Sequence, residues 1–262
     1  MNTKKICTIY FTSSVVLGVL GAIFMLFMMI SEYDIDTNAF GITSGEKTFL
    51  SVFFVIAVII MLSAVFVLRK AEIPRVINNR KSLIVPVAIM AVSSVAFVIS
   101  LILENGRVSN SVYDTALIIY APISVLCTLY FVFCILKNDR IADILSISFV
   151  IWAIFLLGLS YFSPDYTYDL ITRVILDMAL CATIAFALTE MRLRIGMTYF
   201  ALRMAFGCAA IVLGGSYTLS RAIFVIINGA MPSLFDVMEM SLIGVVVYII
   251  IDNITLLRAN DH

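Results

Sequence analysis

The chain has 262 residues, 63% of them hydrophobic and only 13% charged, with 17 basic and 17 acidic side chains. A soluble domain carries about 45–50% apolar and about 25% charged residues, so an ordinary globular protein is excluded. Disordered and disulfide-stapled chains fail on the same grounds, and no basic domain is left to hold nucleic acid.

A polytopic membrane protein remains, and its spans can be read in order. Residues 9–30 form the first. Lys4 and Lys5 precede it as in a secretory signal, but the apolar run is too long for a signal core and no small-x-small cleavage site follows, so it is expected to stay as a helix. Residues 48–68, 83–103, 115–136 and 142–162 give four more spans of about 20 apolar residues, the length that crosses a ~30 Å hydrocarbon core. They are continuously apolar, not alternating, which favours helices over barrel strands. The last third is less uniform. The sixth span, 170–189, contains Arg173 and Asp177; the seventh, 200–227, contains Arg203 and Arg221; the eighth, 237–257, contains Glu239 and Asp252. The expected fold is an all-α bundle of eight transmembrane helices.

Lys and Arg orient it. One set of segments carries Lys4 and Lys5, then Arg69, Lys70, Arg75, Arg80 and Lys81, then Lys137 and Arg140, then Arg192, Arg194 and Arg203, and finally Arg258. The opposite loops carry only Lys47 and Arg107. Both termini are therefore expected in the cytoplasm, with the protein in the plasma membrane. The basic loop 69–82 is expected to set topology and to meet anionic lipid headgroups.

The even-numbered spans share a charge pattern. Glu46 precedes Arg69, Asp114 precedes Lys137 and Asp169 precedes Arg192, each by 23 residues; Asp236 precedes Arg258 by 22. An acid at a helix N-terminus and a base at its C-terminus complement the helix dipole, and the Tyr or Phe before three of these acids anchors the end at the interface. Capping explains this better than a ring of ion-attracting carboxylates. Glu46 to Asp169, Arg69 to Arg192 and Arg80 to Arg203 are each 123 residues apart, and Asn105-Gly106 recurs as Asn228-Gly229 at the same offset. This reads as a tandem duplication, with four-helix halves 1–136 and 137–262 in the same orientation, related by an axis along the membrane normal.

Charges without a counterpart need another explanation. Arg173, Asp177, Arg221 and Glu239 map onto Leu50, Phe54, Val98 and Leu117 of the first half. All lie toward the outer side of spans six to eight. A charge within the bilayer costs at least about 2.5–3.5 kcal/mol on insertion scales, so it should face protein or water and have a partner. Arg173 and Asp177 stand at i,i+4 and can meet on one face; Arg221 should then contact Asp177 or Glu239. One reading is a pair of structural ion pairs locking the three spans. The other is an outward-facing pocket, lined by these four with Ser216, Tyr217 and Ser220, that binds or transports a small polar or zwitterionic solute.

The inner half offers less. Asp143 and Asp252 lie near cytoplasmic helix ends, where solvation is expected, and no chain of ionisable groups crosses the bilayer. Pro122 interrupts the fourth span, and Gly244, its equivalent in the eighth, is a possible hinge. Ala210, Gly214 and Gly215 form a small-residue patch for close helix packing.

Much chemistry is excluded. The one histidine is His262, the final residue, which leaves no His-dependent triad or metal site within the fold. Cys7, Cys127, Cys134, Cys181 and Cys208 form no CxxC and sit in or beside apolar spans as packing residues. No Walker or dinucleotide fingerprint occurs. No cofactor and no enzymatic activity are expected, an intramembrane enzyme using Asp177 or Glu239 being the third choice. Besides solute binding or transport, a membrane sensor or accessory subunit of a larger membrane complex is the alternative.

Overall fold

The computed structural model describes residues 3–34, 39–40, 44–69, 80–104, 112–136, 139–162, 170–194, 200–228 and 234–259. All eight expected helices form: α1 (Thr3–Glu32), α2 (Ser44–Val67), α3 (Ile84–Glu104), α4 (Val112–Ile135), α5 (Asp139–Phe162), α6 (Leu170–Arg194), α7 (Phe200–Asn228) and α8 (Leu234–Ala259). Each is long and apolar enough to cross a membrane, so the chain reads as a multi-pass membrane protein in contact with lipid. The helices run a few residues beyond the apolar windows, because the hydrogen-bonded ladder continues past the hydrocarbon boundary. One small element had no sequence signal. Strand β1 (Tyr33–Asp34) pairs antiparallel with β2 (Ala39–Phe40) in the first long loop, Tyr33 opposite Phe40 and Asp34 opposite Ala39. Most of the basic loop 69–82 lies outside the described residues; α3 is entered through a 3-10 turn, Arg80–Leu83.

Eight crossings bring the start of α1 and the end of α8 to one end of the bundle, the terminal end; the opposite end is the far end. Helices α3 to α8 touch in chain order, and α8 packs back on α3, closing a ring of six. Helices α1 and α2 pack outside this ring against α7. The two halves therefore do not have equivalent neighbours. Exchanging them would carry the α1–α7 contact onto α5–α3 and the α3–α8 contact onto α7–α4, and neither is a principal contact.

Small residues and hydroxyls decide these neighbours. Lipid tails are as apolar as leucine, so helices in a bilayer associate through close backbone approach and interhelical hydrogen bonds. The Ser216 hydroxyl on α7 donates to the Gly18 carbonyl of α1 at 2.9 Å, and a Cβ on Gly18 would stand 3.1 Å from the Ile211 carbonyl oxygen. Ser93 on α3 donates to the Val237 carbonyl of α8 at 2.9 Å. Ser94 and Thr128 join α3 to α4 at 2.9 Å, and Tyr10 and Ser63 join α1 to α2 at 2.7 Å. Gly244, read as a possible hinge, is a contact point: a Cβ there would stand 2.5 Å from Met90 Cγ and 3.1 Å from the Pro86 carbonyl oxygen of α3.

The ring is filled with aromatic side chains. Phe131 and Tyr130 of α4, Phe149 of α5 and Tyr248 of α8 form a connected cluster, with Phe131 edge-on to Tyr248 at 4.8 Å and to Phe149 at 5.3 Å between centroids. Phe186 of α6 extends it to Tyr248, and Trp152 extends it beyond Phe149. The Trp152 indole N–H donates to the Tyr120 hydroxyl at 2.8 Å, which satisfies the polar atom that a buried tryptophan brings with it. Helices α7 and α8 are the most enclosed of the eight spans.

Candidate functional site

The charged residues of α6, α7 and α8 fall into three groups. Arg173 and Asp177 turn toward α5. The Ser160 hydroxyl donates to Asp177 Oδ1 at 2.7 Å. Arg173 donates to the Tyr161 carbonyl, and its guanidinium carbon lies 5.1 Å from the Tyr161 ring centroid. Arg173 is also near enough to Asp177 to act on it electrostatically, as the i,i+4 spacing requires.

The second group lies between α7 and α8, nearer the far end. Arg221 and Glu239 line a cleft of about 100 Å³ whose walls include Ala222, Val225, Met240 and Ile243. Residues 218, 221, 222 and 225 repeat at helical spacing, so one face of α7 supplies one wall. Glu239 is buried, and the Tyr217 hydroxyl meets both its oxygens, at 2.7 and 2.8 Å. This contact holds the carboxylate in one orientation. Nearer the terminal end, α7 and α8 come together at Gly214, where a Cβ would stand 3.0 Å from Val246 Cγ2.

Tyr217, Arg221 and Glu239 are thus brought together, while Arg173 and Asp177 are engaged with α5. Ser216 faces α1, and Ser220 donates to the Tyr217 carbonyl of its own helix at 2.9 Å. Adjacent positions on a helix are about 100° apart, which is why Ser216 and Tyr217 serve different neighbours.

The third group, at the terminal end, corrects the expectation that Asp252 is solvated. Asp252 is only 8% exposed and accepts a hydrogen bond from Arg203. Arg203, read as a topology-setting cation matched by Arg80, is buried as well; its Nε donates to Glu190 Oε2 at 2.8 Å. Tyr248 donates to Glu190 Oε1 at 3.3 Å, and Phe186 lies beneath the guanidinium at 5.4 Å. One side chain from α7 therefore ties together α6 and α8. Asp143, by contrast, is exposed as expected.

Sequence reasoning passed over Glu190, Tyr248, Tyr120 and Trp152. One signal was present for Glu190: it occupies the last turns of α6 and Arg203 the first turn of α7, so a short connection brings them close. Tyr248 and Asp252 likewise stand at i,i+4 on α8. Among the described residues, no group of three or more His, Cys, Asp or Glu side chains is arranged to hold a metal ion. Arg221 and a Glu239 held by the Tyr217 phenol thus border a cleft whose walls are largely apolar. Comparisons with protein-family models, with curated proteins and with solved structures find no match to this chain.

Proposed function

We propose that this membrane protein is a binding protein, not an enzyme, and that it holds a ligand with a zwitterionic head in the α7–α8 cleft between Arg221 and Glu239. One observation carries the reading: these two side chains, unmatched in the first half of the sequence, line the same cleft. A zwitterion adds no net charge there, whereas a singly charged ligand would bring an unbalanced charge into a poorly solvated place.

A thermal-shift panel of zwitterions, both water-soluble and amphiphilic, tests it. A ligand that binds only the folded state raises the melting temperature. At least one member should do so, and Arg221→Met should abolish the shift while the unliganded protein still melts cooperatively. If no zwitterion produces a shift that depends on Arg221, the reading fails.

A sensor or accessory subunit is the second reading, favoured by the aromatic filling of the ring and the Arg203 contacts that join its helices at one end. Co-purification of a stoichiometric membrane partner would support that role over transport.

We also propose cytoplasmic termini in the plasma membrane. With single cysteines at Asn78, Asn110, Tyr166 and Ala230 in a cysteine-free background, only Asn78 should resist an impermeant thiol reagent applied to intact cells. Labelling of Asn78, or protection of two of the other three, would overturn the orientation.

A further inference from the structure

We infer that a second copy of this chain packs against the lipid-exposed face of α5 and α6, with Arg173 of each copy paired to Asp177 of the other. The inference is independent of the α7–α8 cleft.

Helix α6 sets Asp177 beside lipid. Val174, Cys181 and Leu188 are exposed, and their spacing makes one stripe along the helix. Asp177 lies at the edge of that stripe, three residues after Val174 and four before Cys181, and is only half-buried. It is also deep. Helix α6 has 25 residues, about 37 Å at 1.5 Å per residue. Centred on a ~30 Å hydrocarbon core, it projects by roughly 3–4 Å at each end. Asp177 stands seven residues after Leu170, about 10 Å along the axis. It is therefore roughly 6–7 Å below the boundary where headgroups rest. A lipid headgroup stays above it, whereas a neighbouring helix passes every depth.

Both charges have capacity left. A carboxylate accepts at two oxygens, and a guanidinium carries five N–H donors. Asp177 accepts from the Ser160 hydroxyl at one oxygen. Arg173 donates to the Tyr161 carbonyl and lies against the Tyr161 ring. Among the described residues, neither side chain makes a further hydrogen bond, and Arg173 acts on Asp177 only through space.

The patch is self-complementary. It carries both signs on one helix face, as a two-fold interface requires, where the same surface meets itself. An axis along the membrane normal keeps equal depths together. Arg173 lies four residues, about 6 Å, closer to the far end than Asp177, a distance its long side chain can span to the Asp177 of the other copy. A foreign helix with one basic residue would leave Arg173 unmatched, and one with a single acid would leave Asp177 unmatched. A second copy answers both charges.

Shape agrees. The Ser160 contact sets Asp177 level with position 160 of α5. Gly158 lies two residues deeper, about 3 Å, between the exposed Ile154 and Tyr161. A Cβ on Gly158 would meet nothing within 4 Å. Such a notch permits the close approach by which helices associate in a bilayer.

The test uses the full chain in liposomes, with donor- and acceptor-tagged copies. Energy transfer between them should persist as the protein is diluted in lipid. Copper–phenanthroline oxidation should join Cys181 of one copy to Cys181 of the other, since it lies one turn below Asp177 and the other four cysteines are buried. Arg173→Gln and Asp177→Asn should each weaken association about tenfold, the loss expected for a charge-assisted hydrogen bond. Mixing the two variants should restore part of it, because one Arg173–Asp177 pair forms again. Gly158→Leu should weaken association with the melting temperature of the monomer unchanged, which keeps the test decisive even if a charge variant fails to fold.

Transfer that falls on dilution to the level of random encounter means a monomer and overturns the inference. So does a dimer that is not joined through Cys181 and is indifferent to all three variants, because another face then holds it. In cell membranes, oxidation that joins Cys181 to a different protein and not to its own mate would give this face to that partner, and the second copy would be ruled out.

Discussion

Arg203→Met should destabilise the protein by about 3–5 kcal/mol, the cost of removing one partner from a buried ionic group. The size follows from the surroundings. Arg203 is 4% exposed and donates to both Glu190 and Asp252, which come from different helices. Methionine keeps most of the bulk against Phe186, so lost packing contributes little. What remains is the loss of the guanidinium from two carboxylates that bulk water does not reach. Replacing those as well, with Glu190→Gln and Asp252→Asn added to Arg203→Met, should recover much of the loss, because the uncompensated charge disappears. Glutamine also preserves an acceptor for the Tyr248 hydroxyl. Thermal denaturation in detergent measures all three proteins, with the emission of Trp152, the one tryptophan in the chain, as probe. Equal stability of Arg203→Met and the parent protein would mean that Arg203 reaches solvent and that α6, α7 and α8 are not joined through it.

Gly244→Ala should also destabilise, against the usual sign. In an exposed helix interior, alanine is favoured over glycine by about 0.8–1.0 kcal/mol. Here the added Cβ would stand 2.5 Å from Met90 Cγ, 3.1 Å from the Pro86 carbonyl oxygen and 3.3 Å from the Met90 backbone nitrogen. The methionine side chain can move aside, but the backbone atoms move only if α3 moves. Overpacking of this kind costs about 1–3 kcal/mol, which outweighs the gain in propensity. Gly244→Val should cost more than Gly244→Ala, and Met90→Ala in the Gly244→Ala background should restore part of the loss. The same denaturation assay reads the series. A Gly244→Ala variant more stable than its parent would show that α3 and α8 do not approach closely at this position.

These expectations rest on features of different legibility. Eight helices, their order and their ends to within a few residues could be read from apolar run length, because crossing a bilayer is a constraint on each segment separately. The acid-to-base spacing of the even-numbered spans is equally local, since it follows the helix dipole and the interface at each end. For that reason it does not specify which helices touch, and the two halves can share the charge pattern with unequal neighbours. The placing of Arg221 and Glu239 on one cleft was half legible. Their depths and their lack of counterparts marked both, but only side-chain direction on two packed helices separated them from Arg173, Asp177 and Ser216.

The amino-acid sequence by itself determined a polytopic helical membrane protein and marked Arg173, Asp177, Arg221 and Glu239 as charges within its spans, but not the buried group of Glu190, Arg203 and Asp252. Tertiary structure alone decided the partners: α1 beside α7, α3 beside α8, Arg203 bridging Glu190 and Asp252, and a cleft between α7 and α8. In a bilayer no contrast in hydrophobicity marks the face of a helix that meets another helix. Neighbours are chosen by backbone approach at Gly18 and Gly244 and by single hydroxyls such as Ser93 and Ser216. Such contacts join residues as far apart as Gly18 and Ser216, and they leave no period in the sequence.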